Sequence, residues 1–98
     1  MPTDLHFVCQ HKMNWTKINL EIYETGNWVI SDQIANEAIG GRIYLHENRK
    51  APAWHGGTIT ACRSSSLPGR QIFTYTVDGP FRVHCTEGWG QEKAIVRR

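Results

Sequence analysis

Long apolar runs are missing from this sequence. None approaches the ~20 residues that a membrane-spanning helix needs, so a helical membrane protein is excluded. Cysteine is scarce: Cys9, Cys62 and Cys85 cannot all pair within the chain. With no export signal in view, reduced thiols are expected. The opening stretch MPTDLHFVCQHK has neither a basic start nor a long apolar segment. It does not read as a signal peptide, and the expected location is the cytoplasm. Charge of one sign is also lacking: the net charge of +2 is too weak to announce nucleic acid by itself. No glycine-rich phosphate loop is present, because Gly40-Gly41-Arg42 lacks the lysine and the spacing. No pair of carboxylates shares one face, which removes the usual two-acid hydrolases.

What is present is alternation. Leu5, Phe7 and Cys9 alternate with His6, Val8 and Gln10. Ile18, Leu20 and Ile22 alternate with Lys17, Asn19, Glu21 and Tyr23, the cleanest half-buried strand pattern in the chain. Ile43 and Leu45 alternate with Arg42, Tyr44 and His46. Residues Thr58 to Arg63 read as a strand, and Ile72 to Val77 has the strongest β propensity. Phe81, Val83 and Cys85 give a further pattern, and Ala94 to Val96 a last short one. Turn chemistry separates these runs at Thr25-Gly26-Asn27, at Asn48 to Pro52, at Ser64 to Gly69, at Asp78-Gly79 with Pro80 after it, and at Glu87 to Gly90.

One segment breaks the alternation. Ser31 is a good N-cap and Asp32 offsets the helix dipole in the first turn. Ile34, Ala35, Ala38 and Ile39 fall on one helical face, and Gly40 can take the left-handed conformation that ends a helix. A helix between Ser31 and Ile39 is only about two turns, too short to stand alone. Its expected place is against a sheet. At 98 residues the chain is one domain. The order β-β-α-β-β-β-β predicts a strand-dominated α+β fold, either a small β-barrel or a strongly bent mixed sheet with one short helix.

The four tryptophans, Trp15, Trp28, Trp54 and Trp89, each adjoin loop or turn residues. Tryptophan at a loop edge beside glycine suits stacking on a flat ring; the alternative is a plug at the end of a barrel. His55, in Trp54-His55-Gly56-Gly57, is the best polar partner for such a pocket, because it donates or accepts near neutral pH. His6, Cys9 and His11, with His84 and Cys85, hold zinc-type ligands. Their spacing fits no usual knuckle, so no metal is expected. The cysteines read as small core residues and not as nucleophiles.

The segment from Trp28 to Glu47 resembles the central part of EVE domains and, more loosely, of ASCH and YTH domains, all of the PUA-like superfamily. The matching features are Trp28, the short helix around Ala35-Asn36, Gly41-Arg42 and the strand Ile43-Tyr44-Leu45-His46, with Gly56-Gly57-Thr58-Ile59 following. The sequence departs from the pattern at Arg42, where the family commonly has an acid. It departs again at Ser31-Asp32, near where an Arg-Asn pair is common. The resemblance implies a single PUA-like domain and a reader of modified bases. It also implies an aromatic pocket between the early helix and the barrel mouth, with Trp28 as one wall.

The expected function is therefore a ligand-binding module without catalytic residues or cofactor. It takes a flat group such as a modified nucleobase, or nucleic acid, on Trp15, Trp28 and Trp54, oriented by His55 or Asp32. Phosphate contacts are expected from Arg42, Arg63 and Arg70. Trp28 and Trp54 are expected to meet at one mouth of the barrel. Two alternatives stand beside this: a protein-interaction or accessory subunit with tryptophans at a partner interface, and a small enzyme using His55 or Glu47 as base.

Overall fold

The computed structural model describes residues 3–9, 15–78, 82–85, 89 and 93–97. Seven strands and one helix are assigned among them: β1 (Thr3–Val8), β2 (Trp15–Lys17), β3 (Ile22–Val29), α1 (Asp32–Glu37), β4 (Arg42–His46), β5 (Ala53–Ser64), β6 (Arg70–Thr76) and β7 (Lys93–Arg97). The strands form one mixed sheet in the order β2-β3-β6-β5-β4-β1-β7. β1 and β4 are its parallel pair, and the other neighbours are antiparallel.

The sheet is curled but not closed. β1 and β3 stand four strand positions apart, which in a flat sheet is about 19 Å. Yet the Phe7 ring of β1 stacks on the Trp28 ring of β3 with centroids 4.3 Å apart. The inner face therefore wraps on itself around Leu5, Phe7, Ile43, Leu45, Ile59, Phe73 and Tyr75, all fully buried or nearly so. Across the open seam, Lys93 of β7 reaches back and its Nζ donates to the Val29 carbonyl of β3.

The helix forms where the sequence places it. Ser31 is extended, and its Oγ accepts from the Ile34 N–H at 3.2 Å. Ala35 and Ala38 turn into the core, Ile34 is half-buried and Ile39 stays in water. Gly40 ends the turn at φ +91°. Side chains then moor α1 to the strand ends beside it. Thr3 Oγ1 donates to Glu37 Oε2 at 2.5 Å, Cys62 Sγ lies 3.8 Å from Asn36 Oδ1, and Gln71 Nε2 donates to Asp32 Oδ1.

Several expectations are corrected. Ile18 to Glu21 is no strand but the turn joining β2 to β3, which begins at Ile22. The Asn19 side chain accepts from the Glu21 and Ile22 N–H groups at 3.0 and 3.1 Å, and this local bond replaces a ladder bond. Ile18 and Leu20 are left 52% and 85% exposed. Three strands thus precede the helix, not two. Thr25-Gly26-Asn27 is no turn. Gly26 and Asn27 together oppose the single Ile72, a β-bulge inside β3, with Asn27 at φ +22°. Residues 82–85 carry no strand, and Phe81 lies outside the described residues. So do Gln10, His11, Gly79, Pro80 and most of the expected loop at 87–90.

The outer face of β1 and β4 is covered as well. His6 and Tyr44 point there and stack at 4.7 Å, with Trp89 edge-on to His6. The Ala53 N–H donates to the Val83 carbonyl at 2.8 Å. Burial on both faces is the usual setting of parallel pairs, and here the C-terminal segment supplies the second cover. The three cysteines form no disulfide. No helix among the described residues is long and apolar enough to cross a membrane.

Candidate functional site

Strands β3, β5 and β6 each have one end near the helix and the other at an aromatic cluster. On β3, Trp28 lies toward α1 and Tyr23 five residues away, about 17 Å along the strand. On β6, Gln71 holds the helix and Tyr75 marks the far end. On β5, Cys62 neighbours the helix while Trp54 and His55 begin the strand. Far from α1, then, Trp15, Tyr23, Trp54, His55 and Tyr75 converge.

The contacts within this cluster are close. Trp15 stacks on Tyr23 with centroids 5.0 Å apart and an interplanar angle of 8°. Trp54 and His55 meet the Trp15 ring edge-on, each at 5.2 Å. His55 also stands edge-on to Tyr23 at 4.7 Å. Trp54 owes its place to a bulge: His55 pairs with Leu45 and Ala53 with His46, so Trp54 is the extra residue on β5. A bulge re-aims a side chain out of strand alternation, and the Trp54 Nε1 donates to the Cys9 carbonyl at 3.3 Å.

Beneath the rings sits one buried hydroxyl. Trp15 Nε1 donates to the Tyr75 oxygen at 2.7 Å, and the same oxygen lies 2.7 Å from His55 Nδ1. Tyr75 is fully buried, so its proton needs an acceptor. The indole N–H cannot accept, which leaves His55 Nδ1. The Tyr75 hydroxyl therefore donates to His55 and fixes the imidazole hydrogen on Nε2. Burial pushes the Tyr75 phenol well above its ordinary range, so the donor keeps its proton.

The residues expected to share a site separate into two groups. Trp15, Trp54 and His55 come together. Trp28 stacks on Phe7 in the core, and its Nε1 donates to Thr25 Oγ1 at 3.1 Å. The ring partner of Trp54 is thus Trp15, not Trp28. Asp32 is engaged by Gln71 beside the helix and lies at the opposite end from His55. None of the three arginines joins the aromatic cluster. Arg42 is clamped to Asp78, NH1 to Oδ1 at 2.6 Å and NH2 to the backbone oxygen at 2.8 Å. Arg63 lies 3.3 Å from Glu24 Oε1. Arg70 NH1 donates to the Asn27 carbonyl at 2.9 Å. Glu47 is exposed just past β4.

Sequence reasoning missed Tyr23, Tyr75 and a buried histidine pair. His6 and His46 are 5% and 0% exposed, and His6 Nδ1 lies 2.9 Å from His46 Nε2. His46 Nδ1 lies 2.9 Å from the Ala51 carbonyl. A carbonyl only accepts, so His46 carries its hydrogen on Nδ1 and His6 donates from its own Nδ1. Burial first, then the neighbouring His46, lowers the His6 pKa to about 4. Burial, with a smaller push from His84, also lowers His46 against the Ala51 hydrogen bond. Both rings are built to stay neutral. Of the other groups once weighed as zinc ligands, Cys9 has its thiol pushed up to about 11 by burial, and His11 lies outside the described residues. Among the described residues no three His, Cys, Asp or Glu side chains are grouped as metal ligands.

No family model, no curated protein and no solved structure matches this chain.

Proposed function

We propose that the chain is a small binding module that takes a flat ring, a nucleobase or modified nucleobase, at the aromatic end of its curled sheet. One observation carries this reading: Trp15, Tyr23, Trp54 and His55 gather, half-buried, over a buried tyrosine hydroxyl that sets both an indole and an imidazole. These four rings are only half-buried, so part of their apolar surface remains open to a ligand, whereas rings that only sealed a core would be closed off. Ring faces provide stacking for any base, and a histidine of fixed tautomer adds a direction. The likeness of Trp28 to Glu47 to the EVE domains points to the same ligand class. It implies a pocket beside the helix, however, whereas the aromatic rings gather at the other end.

The test is a binding panel of nucleosides, modified nucleosides and short single-stranded oligonucleotides. Trp54→Ala is expected to weaken binding by about 1–3 kcal/mol, the usual worth of one aromatic stack. His55→Ala is expected to relax selectivity more than affinity. Binding indifferent to both substitutions would remove the site.

A second reading, a protein-interaction module, is favoured by Ile18 and Leu20. These aliphatic side chains stand in water on a turn held by Asn19, directly after Trp15 and its strand. A module of that kind binds none of the panel.

A further inference from the structure

The bulge in β3 opens a second, unrelated cleft on the outer face of the sheet. Its volume is about 170 Å³, and it is lined by Thr16, Glu24, Gly26, Asn27, Arg63 and Ile72. A cavity of about 150 Å³ accepts a single six-membered ring. Parity along the strands puts this cleft on the face opposite the core. Glu24 pairs with Thr74, beside the inward Thr25–Phe73 and Tyr23–Tyr75 pairs, and Arg63 pairs with Ile72.

The lining has a definite hydrogen-bonding character. Glu24 is held by two long contacts, 3.3 Å from Arg63 and 3.5 Å from the Thr74 hydroxyl. Both exceed the usual 2.7–3.2 Å range, so most of its acceptor capacity is open. Arg63 is 58% exposed and makes only that one 3.3 Å bond among the described residues. An exposed pair of this kind contributes little and yields readily to a ligand. Asn27 is fixed: its Oδ1 accepts from Ser65 Oγ at 2.5 Å and its carbonyl from Arg70. The floor is the Ile72 side chain against Gly26, where any Cβ would stand 2.6 Å from Ile72 Cγ1. The position is therefore closed to side chains, and the floor stays flat and apolar.

An anion fits poorly here, because the Glu24 carboxylate opposes it. We infer that the cleft binds the edge of a guanine-type base: two parallel N–H groups donate to Glu24, Arg63 donates to the adjacent ring carbonyl, and the ring lies over Ile72. Arginine on the guanine carbonyl edge is a common pairing, and unstacked bases expose such edges. Among the common bases only guanine sets two neighbouring N–H donors beside a carbonyl. The site does not depend on the aromatic end, and Arg63 takes the role of a base contact in place of a phosphate contact.

The experiment is a titration of the full ¹⁵N-labelled chain with guanosine, inosine, adenosine, cytidine and uridine, followed by amide and indole NMR shifts. Guanosine is expected to move the amides of Gly26, Asn27 and Ile72. Inosine, which lacks one of the two N–H donors, is expected to bind about tenfold more weakly. Glu24→Gln, an outer-face change, is expected to erase the preference for guanosine, while Trp54→Ala leaves the cleft shifts in place. Unmoved cleft amides at millimolar guanosine overturn the inference, as does equal response to adenosine or an unaltered Glu24→Gln variant. Trp15 and Trp54 indoles that move while the cleft stays still contradict this site alone and leave the aromatic site standing.

Discussion

Gly57→Ala is expected to cost about 4 kcal/mol or more, a large share of the 5–15 kcal/mol that holds a domain together. A side chain at position 57 puts its first carbon 2.0 Å from the Thr76 carbonyl oxygen and 2.7 Å from that carbonyl carbon. Both are backbone atoms. They cannot withdraw without loosening the β5–β6 ladder where Thr58 pairs with Thr76. Gly40→Ala is the comparison. It sits at φ +91° with nothing within 4 Å, so only the left-handed backbone opposes it, at about 1–2 kcal/mol. Urea denaturation of the two variants measures the difference. Equal losses would show that the close approach at Gly57 is not rigid.

Acid is expected to act through the histidine pair. In the unfolded chain His6 titrates near 6.5, while burial beside His46 holds it at about 4 in the fold. Between these values the unfolded chain binds a proton that the folded chain refuses. Stability is therefore complete above pH 6.5 and falls as pH drops toward 4. A 2.5-unit gap makes the His6 share of that loss about 3 kcal/mol. The lowered His46 adds in the same direction. The loss has a structural route, since Trp89 packs edge-on against both rings and the C-terminal segment covers the same face. Denaturation curves collected across this pH range measure the slope. His6→Gln keeps an N–H donor for His46 but does not titrate, so its profile is expected to be flatter. An unchanged slope in that variant would place the acid sensitivity elsewhere.

Much of the architecture was legible where local chemistry and burial agree. The Ser31 cap, the Ala35–Ala38 face and the Gly40 stop fix α1 from the sequence alone. Leu5-Phe7, Ile43-Leu45 and Phe73-Tyr75 lie in strands because their apolar alternation really is buried. Ile18 and Leu20 extend the same alternation ahead of Ile22 and mislead, because the Asn19 side chain captures the backbone first. Gly26-Asn27 carries a turn signature, but an isolated glycine inside a strand is also the mark of a bulge. Only the flanking pairing with Phe73 and Gln71 distinguishes the two.

The candidate site was half legible for a similar reason. Trp15, Trp54 and His55 stood out by their neighbours in sequence. Trp28 shared those neighbours, yet the curl of the sheet draws it onto Phe7, 21 residues earlier. Tyr75 read as plain β propensity, because nothing local shows that its hydroxyl meets Trp15 and His55, 60 and 20 residues away. The His6–His46 bond spans 40 residues and exists only because β1 and β4 pair in parallel. Long-range pairing of this kind leaves no periodic trace in either segment.

The central claim is that the ligand binds at the aromatic end and not beside the helix. The indole N–H resonances of the ¹⁵N-labelled chain report it most directly, followed while the panel of modified and unmodified nucleosides is titrated in. The Trp15 and Trp54 indoles are expected to shift together with saturating ligand, while the Trp28 indole stays in place on Phe7. A Trp28 indole that shifts with the amides of Asp32 to Glu37, while Trp15 and Trp54 remain still, would contradict the account and put the pocket at the helix.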